Sequence, residues 1–221
     1  MSRVSRTPWK TRLRRYALVA TALFVIWAFS GMLFLNLRPD NVDDICTLFD
    51  DRYSWYKAAR ASEERWGTPK HVQMAIMYQE SSFIFNARPP RGKLMGFIPW
   101  KRPSNAYGFA QALDDTWIWY LNDTGRTEAK RDEFEDAIDF VGWYTHQSSN
   151  IAGISKWDPY NQYLAYHEGQ GGWRQKTFEK KPWLKQTATV VDKRARAWWG
   201  QLQSCEEDLE SRWWLIRRLI T

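Results

Sequence analysis

The feature that most constrains this chain is a stretch of 22 residues without a charge, from Tyr16 to Leu37. As an α-helix it would be about 33 Å long, because each residue adds about 1.5 Å, and that length crosses the hydrocarbon core of a bilayer. Six basic and no acidic residues precede the stretch, and the first acidic residue, Asp40, follows it. Since a basic flank stays in the cytoplasm, the pattern predicts a basic cytoplasmic tail at 1–15, a transmembrane signal anchor at 16–37 and an exported remainder.

A cleaved secretory signal peptide is the alternative interpretation of the same stretch. Ala28, Phe29 and Ser30 loosely imitate a small-residue cleavage site. The apolar run is longer than a usual signal h-region and continues past these residues, which favours a retained anchor. In both interpretations the rest of the chain leaves the cytoplasm.

The charge of the exported part argues against a nucleic-acid-binding protein. The whole chain carries +7, but outside residues 1–15 there are 26 basic and 25 acidic residues. A protein that grips a phosphate backbone normally needs a clustered basic stripe. The three His and two distant Cys show no zinc-ligand spacing, and the HExxH, GxxxxGK and GxSxG patterns are absent, so we expect neither a metal nor another cofactor.

The two cysteines, Cys46 and Cys205, lie near the two ends of the exported part. An oxidising compartment would allow them to pair and to tie these ends together. We therefore predict a disulfide, with two free structural thiols as the alternative.

The exported part has mainly helical patterning. Thr68 is a predicted N-cap with Pro69 at the first helical position, and apolar residues then recur at spacings of three and four up to Phe83. Residues 86–105 contain prolines and glycines and are predicted to form a long loop or small hairpin. Helical patterns resume around 112–121, 133–147, 160–166 and 188–202.

Short segments flank this helical region. Residues 38–45 are predicted to be a tether. Residues 206–221 form an amphipathic segment, in which Leu209, Trp213, Ile216 and Ile220 share one face of a helix. This segment either lies on a membrane surface or packs back on its own domain, and the sequence does not decide between the two.

Glu80 stands on the apolar side of the predicted helix, near its C-terminal end. Ile76 lies four residues before it and Phe83 three residues after it, so the three share one face. An apolar environment disfavours the ionised carboxylate, and the negative end of the helix dipole acts in the same direction. Both effects raise the pKa of Glu80, which makes it a candidate proton donor.

Further motifs follow the pair Glu80-Ser81 in a fixed order. Residues 106–111 read AYGFAQ, residues 112–117 read ALDDTW, and residues 164–173 read LAYHEGQGGW. This order resembles the catalytic domain of the soluble lytic transglycosylase family, which has a lysozyme-like fold. The resemblance extends from about Arg60 to Trp173, and it implies a mainly α, lysozyme-like domain. We place this domain at 46–205, after the transmembrane helix that the charge-free stretch predicts.

The resemblance also implies roles for individual residues. Glu80 is similar to the catalytic acid/base of the family, Gln111 to a glutamine that lines the sugar cleft, and Tyr166 to a tyrosine whose hydroxyl supports the catalytic carboxylate. The implied substrate-binding residues are Ser81, Tyr107, Gln111, Tyr144 and Tyr166. Alternatively, Tyr144 and Tyr166 are plain core residues, and Gln111 is a helix cap or a surface amide.

The implied function is cleavage of peptidoglycan glycan strands at the bond between N-acetylmuramic acid and N-acetylglucosamine, with closure of a 1,6-anhydro ring. The expected location is the bacterial inner membrane, with the catalytic domain in the periplasm. The expected partners are the glycan strands, the membrane and other cell-envelope assembly proteins.

Two alternatives to this function stay open. A hydrolytic muramidase would use Asp114, Asp115 or Glu168 as a second carboxylate. An inactive, membrane-tethered glycan-binding or scaffold protein is the other alternative, because His167 and Glu168 replace the Asn and Ala that usually follow the tyrosine in the family.

Overall fold

The computed structural model of the protein describes residues 16, 18–27, 39, 41–91, 93–94, 98–99 and 101–220, with backbone only for 93–94, 98–99 and 213–220. The chain divides into two units, residues 1–37 and residues 38–221. In the first unit residues 18–27 are helical, whereas the predicted tail at 1–15 and the second half of the predicted anchor lie outside the described residues. No helix within the described ranges is both long and apolar enough to cross a membrane.

The second unit is mainly helical, as the sequence predicts. Its elements in chain order are α1 Ile45–Asp51, α2 Tyr53–Trp66, α3 Lys70–Ser81, β1 Lys93–Leu94, β2 Ile98–Pro99, α4 Asp114–Thr124, α5 Phe134–Ala152, α6 Pro159–Arg174, a 3-10 helix Thr177–Lys180 and α7 Pro182–Ile220. The strands pair antiparallel, Lys93 with Pro99 and Leu94 with Ile98. The segment 86–105 therefore contains a small antiparallel ladder.

The core lies between α5 and the helices around it. α5 packs against α2, α3, α4 and α6, while α7 packs against α3 and α6. Aromatic rings fill much of this core: Trp55 stacks on Phe134 with ring centroids 4.1 Å apart. Such large rings bury much apolar surface, and they fix the distance between the helices that carry them.

α3 begins one residue later than the sequence predicts. Pro69 occupies the N-cap position without a side-chain hydrogen bond, and Lys70 is the first helical residue. Thr68 is fully buried, and its hydroxyl accepts a hydrogen bond of 2.8 Å from the hydroxyl of Thr145 on α5. The predicted capping residue is therefore used to join α3 to α5.

α7 differs from the prediction of a separate C-terminal segment, because it continues without a break across position 205. Its buried residues, which are Leu184, Ala188, Val191, Ala195, Trp198, Leu202 and Leu209, recur at intervals of three, four or seven. Lys70 on α3 forms ion pairs with Glu63 at 2.6 Å and with Glu206 at 2.5 Å. Up to residue 212 the segment thus packs on its own domain, and the side chains of 213–221 lie outside the described residues.

A disulfide joins Cys46 on α1 to Cys205 on α7, with Cα atoms 6.0 Å apart. The two cysteines are separated by 159 positions along the chain. Closing a loop of this length restricts the unfolded chain strongly, and this restriction stabilises the folded state.

We predict that replacing both cysteines by alanine lowers the free energy of unfolding by about 2–5 kcal/mol. Urea unfolding of the wild type and the double variant measures the difference. Dithiothreitol should destabilise the wild type by a similar amount and leave the double variant unchanged. Equal stability of the oxidised wild type and the double variant would show that the cross-link contributes nothing.

Candidate active site

Glu80 is the penultimate residue of α3, at the point where the helix ends in an unusual backbone turn. Ser82 and Phe83 both have positive φ angles, 51° and 60°. This left-handed conformation costs energy for residues other than glycine. Phe83 is almost fully buried, and its ring packs on Trp55 with centroids 5.2 Å apart. Core packing therefore holds the turn and fixes where α3 ends.

The environment of Glu80 favours the protonated acid. Its burial raises the pKa to about 7, and a hydrogen bond from the hydroxyl of Tyr163 opposes part of that rise. Burial raises the pKa because a charged carboxylate loses hydration, while the donor from Tyr163 stabilises the charge. Near neutral pH Glu80 is divided between its two protonation states, which suits a group that must both give and take a proton.

Two tyrosines lie close to the carboxyl group of Glu80, and a third packs on one of them. Tyr163 and Tyr166 on α6 are close enough to Glu80 for its charge to raise their pKa values further, in addition to the effect of their burial. Burial also raises the pKa of Tyr144 on α5 to about 12. Their hydroxyls are therefore neutral donors near neutral pH. The rings of Tyr144 and Tyr166 pack edge to face, with centroids 5.0 Å apart.

The loop before α4 is fixed by its own hydrogen bonds. The side-chain amide of Gln111 donates to the carbonyl oxygens of Ala87, at 2.9 Å, and of Gly108, at 2.8 Å. Tyr166 reaches the same loop, because its hydroxyl donates to the carbonyl oxygen of Ala110 at 2.6 Å. The amide nitrogen of Gln111 is thus engaged in shaping the loop, and its amide oxygen is the part suited to accept a hydrogen bond from a ligand.

A cavity of about 260 Å³ lies between this loop and α6. Its lining consists of Gln111, Ala112, Leu113, Thr116, Phe140, Tyr144, Tyr166, His167, Glu168 and Gly169. Glu80 does not line it, but Tyr166 does, and Tyr166 lies beside Glu80. The cavity is therefore next to the candidate proton donor.

Glu168, which also lines this cavity, is an ionised and fully engaged carboxylate. Burial alone would raise its pKa, but hydrogen bonds from Lys181, Thr177 and His167 lower it to about 2. The ammonium nitrogen of Lys181 lies 2.7 Å and Nδ1 of His167 lies 3.0 Å from the same oxygen, Oε1. Glu168 thus joins α6 to the 3-10 helix and to the start of α7, next to the kink at Gly169.

The structure brings some of the predicted site residues together and separates others. Gln111, Tyr144 and Tyr166 line one cavity. Ser81 is buried, and its hydroxyl donates back to the carbonyl oxygen of Met77 at 3.3 Å, a common use of serine within a helix. Tyr107 donates to a carboxylate oxygen of Asp132 at 2.9 Å. Ser81 and Tyr107 are therefore placed to support the fold and lie outside the cavity lining.

The support of Glu80 also differs from the sequence prediction. The family resemblance implies that the hydroxyl of Tyr166 supports the carboxyl group. In the structure that hydroxyl donates to the carbonyl oxygen of Ala110, and the hydrogen bond to Glu80 comes from Tyr163. Tyr163 was missed, although it precedes Tyr166 by three residues and so shares its helical face. That spacing is the signal in the sequence that points to it.

The fold and site together define a class of protein, a mainly helical domain with a partly buried carboxylic acid next to a polar and aromatic cavity, as in general acid catalysts. Within the described residues no group of His, Cys, Asp and Glu is arranged to hold a metal ion.

Comparison with known families is consistent with this class. A family model described as a transglycosylase SLT domain matches residues 18–205, which is most of the chain. The chain belongs to this family, and membership indicates a lytic transglycosylase, a class of enzymes that degrade peptidoglycan. A search of curated proteins found no match.

We predict that Gly108→Ala disrupts the loop that carries Gln111. Gly108 has a φ of +79°, and a Cβ atom there would lie 2.0 Å from the carbonyl oxygen of Arg131, whereas Gly125 has a similar φ of +69° and open space around it. Gly125→Ala should cost about 1–2 kcal/mol of unfolding free energy, the usual cost of a left-handed alanine. Gly108→Ala should cost clearly more.

Urea unfolding and the release of fragments from purified sacculi measure the two effects. Gly108→Ala should also lower the rate of release, while Gly125→Ala keeps it. Equal stability and equal rates for the two variants would contradict the backbone clash and the role of the loop.

Proposed function

We propose that the chain is a membrane-anchored lytic transglycosylase that cleaves the β-1,4 bond between N-acetylmuramic acid and N-acetylglucosamine in peptidoglycan. The observation that carries the proposal is the position of Glu80 at the end of α3, next to a cavity lined by Gln111, Tyr144 and Tyr166, where burial raises its pKa to about 7. The membership of the chain in the transglycosylase SLT domain family supports the same substrate.

In the proposed reaction Glu80 acts twice. Protonated Glu80 gives its proton to the bridging oxygen, and the bond from that oxygen to C1 of muramic acid breaks, while the N-acetyl group of that sugar stabilises the developing cation. The C6 hydroxyl then attacks C1, and the ionised Glu80 takes the hydroxyl proton. A 1,6-anhydro ring forms, no water is consumed, and Glu80 returns to its protonated state.

The contacts of the other candidate carboxylates favour a mechanism in which Glu80 is the single catalytic carboxylate. Hydrolysis usually needs a second carboxylate to activate water or to form a covalent intermediate. Of the three predicted candidates, Glu168 already accepts hydrogen bonds from three donors, and Asp114 forms an ion pair of 2.7 Å with Arg131. Asp115 is exposed at the first turn of α4. These contacts support transglycosylation over hydrolysis.

The products distinguish the candidate reactions. Purified sacculi incubated with the wild type should release fragments with 1,6-anhydro ends, one water lighter than fragments with reducing ends. Glu80→Gln should lower the release by a factor of about 100 or more, because the amide cannot donate a catalytic proton. Glu207→Gln, a change at an exposed glutamate of α7, is the matched control and should keep full activity.

Mass spectrometry of the soluble fragments gives both results. Reducing ends would make the protein a muramidase. Equal release by the wild type and Glu80→Gln would exclude catalysis by this carboxyl group and favour a binding role.

We predict that Tyr163→Phe shifts the pH dependence of activity upward. Protonated Glu80 is the active acid, so activity should fall as the pH rises through its pKa of about 7. The hydrogen bond from Tyr163 lowers that pKa, and its loss should raise the alkaline limit of activity by about one pH unit.

A profile of kcat/KM against pH for the wild type, Tyr163→Phe and Tyr160→Phe tests this shift. The control removes a hydroxyl one turn earlier on α6, and its profile should match the wild type. A downward shift, or no shift, in Tyr163→Phe would contradict the assigned hydrogen bond.

We further propose that residues 16–37 hold the domain on the periplasmic face of the bacterial inner membrane. The charge-free stretch and the basic residues before it support this placement. The disulfide between Cys46 and Cys205 suits an oxidising compartment.

Membrane fractionation tests the anchor. The full chain should remain in the membrane pellet after extraction with alkaline carbonate, and protease added to spheroplasts should degrade the domain. Release by carbonate would contradict the anchor, and protection from protease would contradict the orientation.

A further inference from the structure

A second concavity, of about 210 Å³, lies apart from the candidate active site. It is lined by His71, Trp157, Pro159, Arg196 and Trp199, and it shares no residue with the cavity beside Glu80. Its two indole rings are largely exposed, since Trp157 is 61% and Trp199 49% exposed. Two large, exposed aromatic side chains that line one concavity outside the core are typical of a ligand-binding surface.

Trp198 and Trp199 are adjacent on α7, but one is buried and the other is exposed. Trp198 belongs to the core, where it is 1% exposed and its ring packs against Tyr78 and Phe83. Successive residues on a helix point about 100° apart, so Trp199 turns outward beside the buried ring. The core contacts of Trp198 thus fix the part of α7 that presents Trp199.

The second concavity is built on the same helices as the active site. His71 lies in the first turn of α3 and Pro159 is the first residue of α6. Glu80 follows His71 by nine residues, about 14 Å along α3, and Tyr163 follows Pro159 by four residues, about 6 Å along α6. A ligand at each place would therefore be held in a fixed relation by two rigid helices.

The charges around the second concavity are balanced. Nε of Arg196 donates to a carboxylate oxygen of Asp192 at 2.8 Å, and the charge of Asp158 also acts on Arg196. His71 is neutral near neutral pH, because burial and the nearby charge of Lys70 lower its pKa to about 4. An anionic lipid surface would select an excess of Lys and Arg. The balanced charge favours a ligand that is neutral at the point of contact.

We propose that Trp157 and Trp199 form a second, non-catalytic binding site for an aminosugar of the glycan strand. A pyranose ring has a flat face of C–H groups that lies against an indole, and its hydroxyl and amide groups can bind to Arg196 and His71 at the edge. The identity of the ligand rests on the proposed function. Two sites on one domain increase the affinity for a polymer, because binding at one site raises the effective concentration at the other.

Binding of the full chain to sacculi tests this site without digestion if every variant carries Glu80→Gln. Adding Trp157→Ala and Trp199→Ala should weaken cosedimentation with purified sacculi about tenfold. Trp157→Phe with Trp199→Phe keeps an aromatic surface and should retain most of the affinity. Val190→Ala, at an exposed apolar residue of the same helix α7, is the control and should bind normally.

Activity provides the second measurement. With Glu80 intact, the double alanine variant should lose activity on sacculi and keep it on a short glycan fragment that fills only the catalytic cavity. Thermal unfolding verifies that each variant folds, and the single variant Trp157→Ala replaces the double variant if the latter does not.

The outcomes separate this proposal from the proposed function. Unchanged affinity for sacculi in the folded double alanine variant would overturn the second site. The second site would also be overturned if the double alanine variant lost binding to anionic phospholipid vesicles but kept its affinity for sacculi. If the wild type released no fragments while binding to sacculi still required the two tryptophans, the second site would stand and the enzymatic function would fail.

Discussion

When α3 packs into the domain, Glu80 becomes partly buried and its carboxyl group loses hydration, for which a hydrogen bond from Tyr163 compensates only in part. An ionised carboxylate with so little compensation is costly, so the proton stays on the group up to about pH 7. The neighbouring hydroxyls of Tyr163 and Tyr166 are neutral in the same pH range and cannot take the proton. The chemistry of the site therefore depends on how firmly the rest of the fold keeps Glu80 enclosed.

Several independent contacts hold the helix that carries Glu80. At its start, the ammonium group of Lys70 lies between Glu63 of α2 and Glu206 of α7. At its end, the ring of Phe83 is locked into the aromatic core. The disulfide fixes α7 to α1 close to Glu206. The long last helix therefore supports the site, although most of its residues are distant from the catalytic group.

Sequence patterns predicted the mainly helical domain, and the structure confirms that coarse prediction. The position of Glu80 on an apolar face also followed from spacing alone, since Ile76 and Phe83 flank it at four and three residues. The donor to Glu80 was harder to predict, because Tyr160, Tyr163 and Tyr166 all lie on one helix. Which hydroxyl reaches the carboxyl group depends on how α6 crosses α3, and this crossing is set by tertiary packing that no local pattern encodes. The unbroken course of α7 was missed for a similar reason. Glu206 stabilises this part of the helix through its ion pair with Lys70, and that contact exists only in the folded domain.

The pKa of Glu80 in the folded protein tests most directly whether this residue can be the catalytic proton donor. NMR titration of the protein with ¹³C-labelled glutamate side chains, with Glu80→Gln to assign the resonance, gives the pKa of this carboxyl group. If burial keeps the proton on Glu80, the midpoint lies near pH 7. A midpoint near that of a solvated glutamate, about 4.3, would contradict this prediction, because Glu80 would then be ionised at neutral pH and unable to donate the proton.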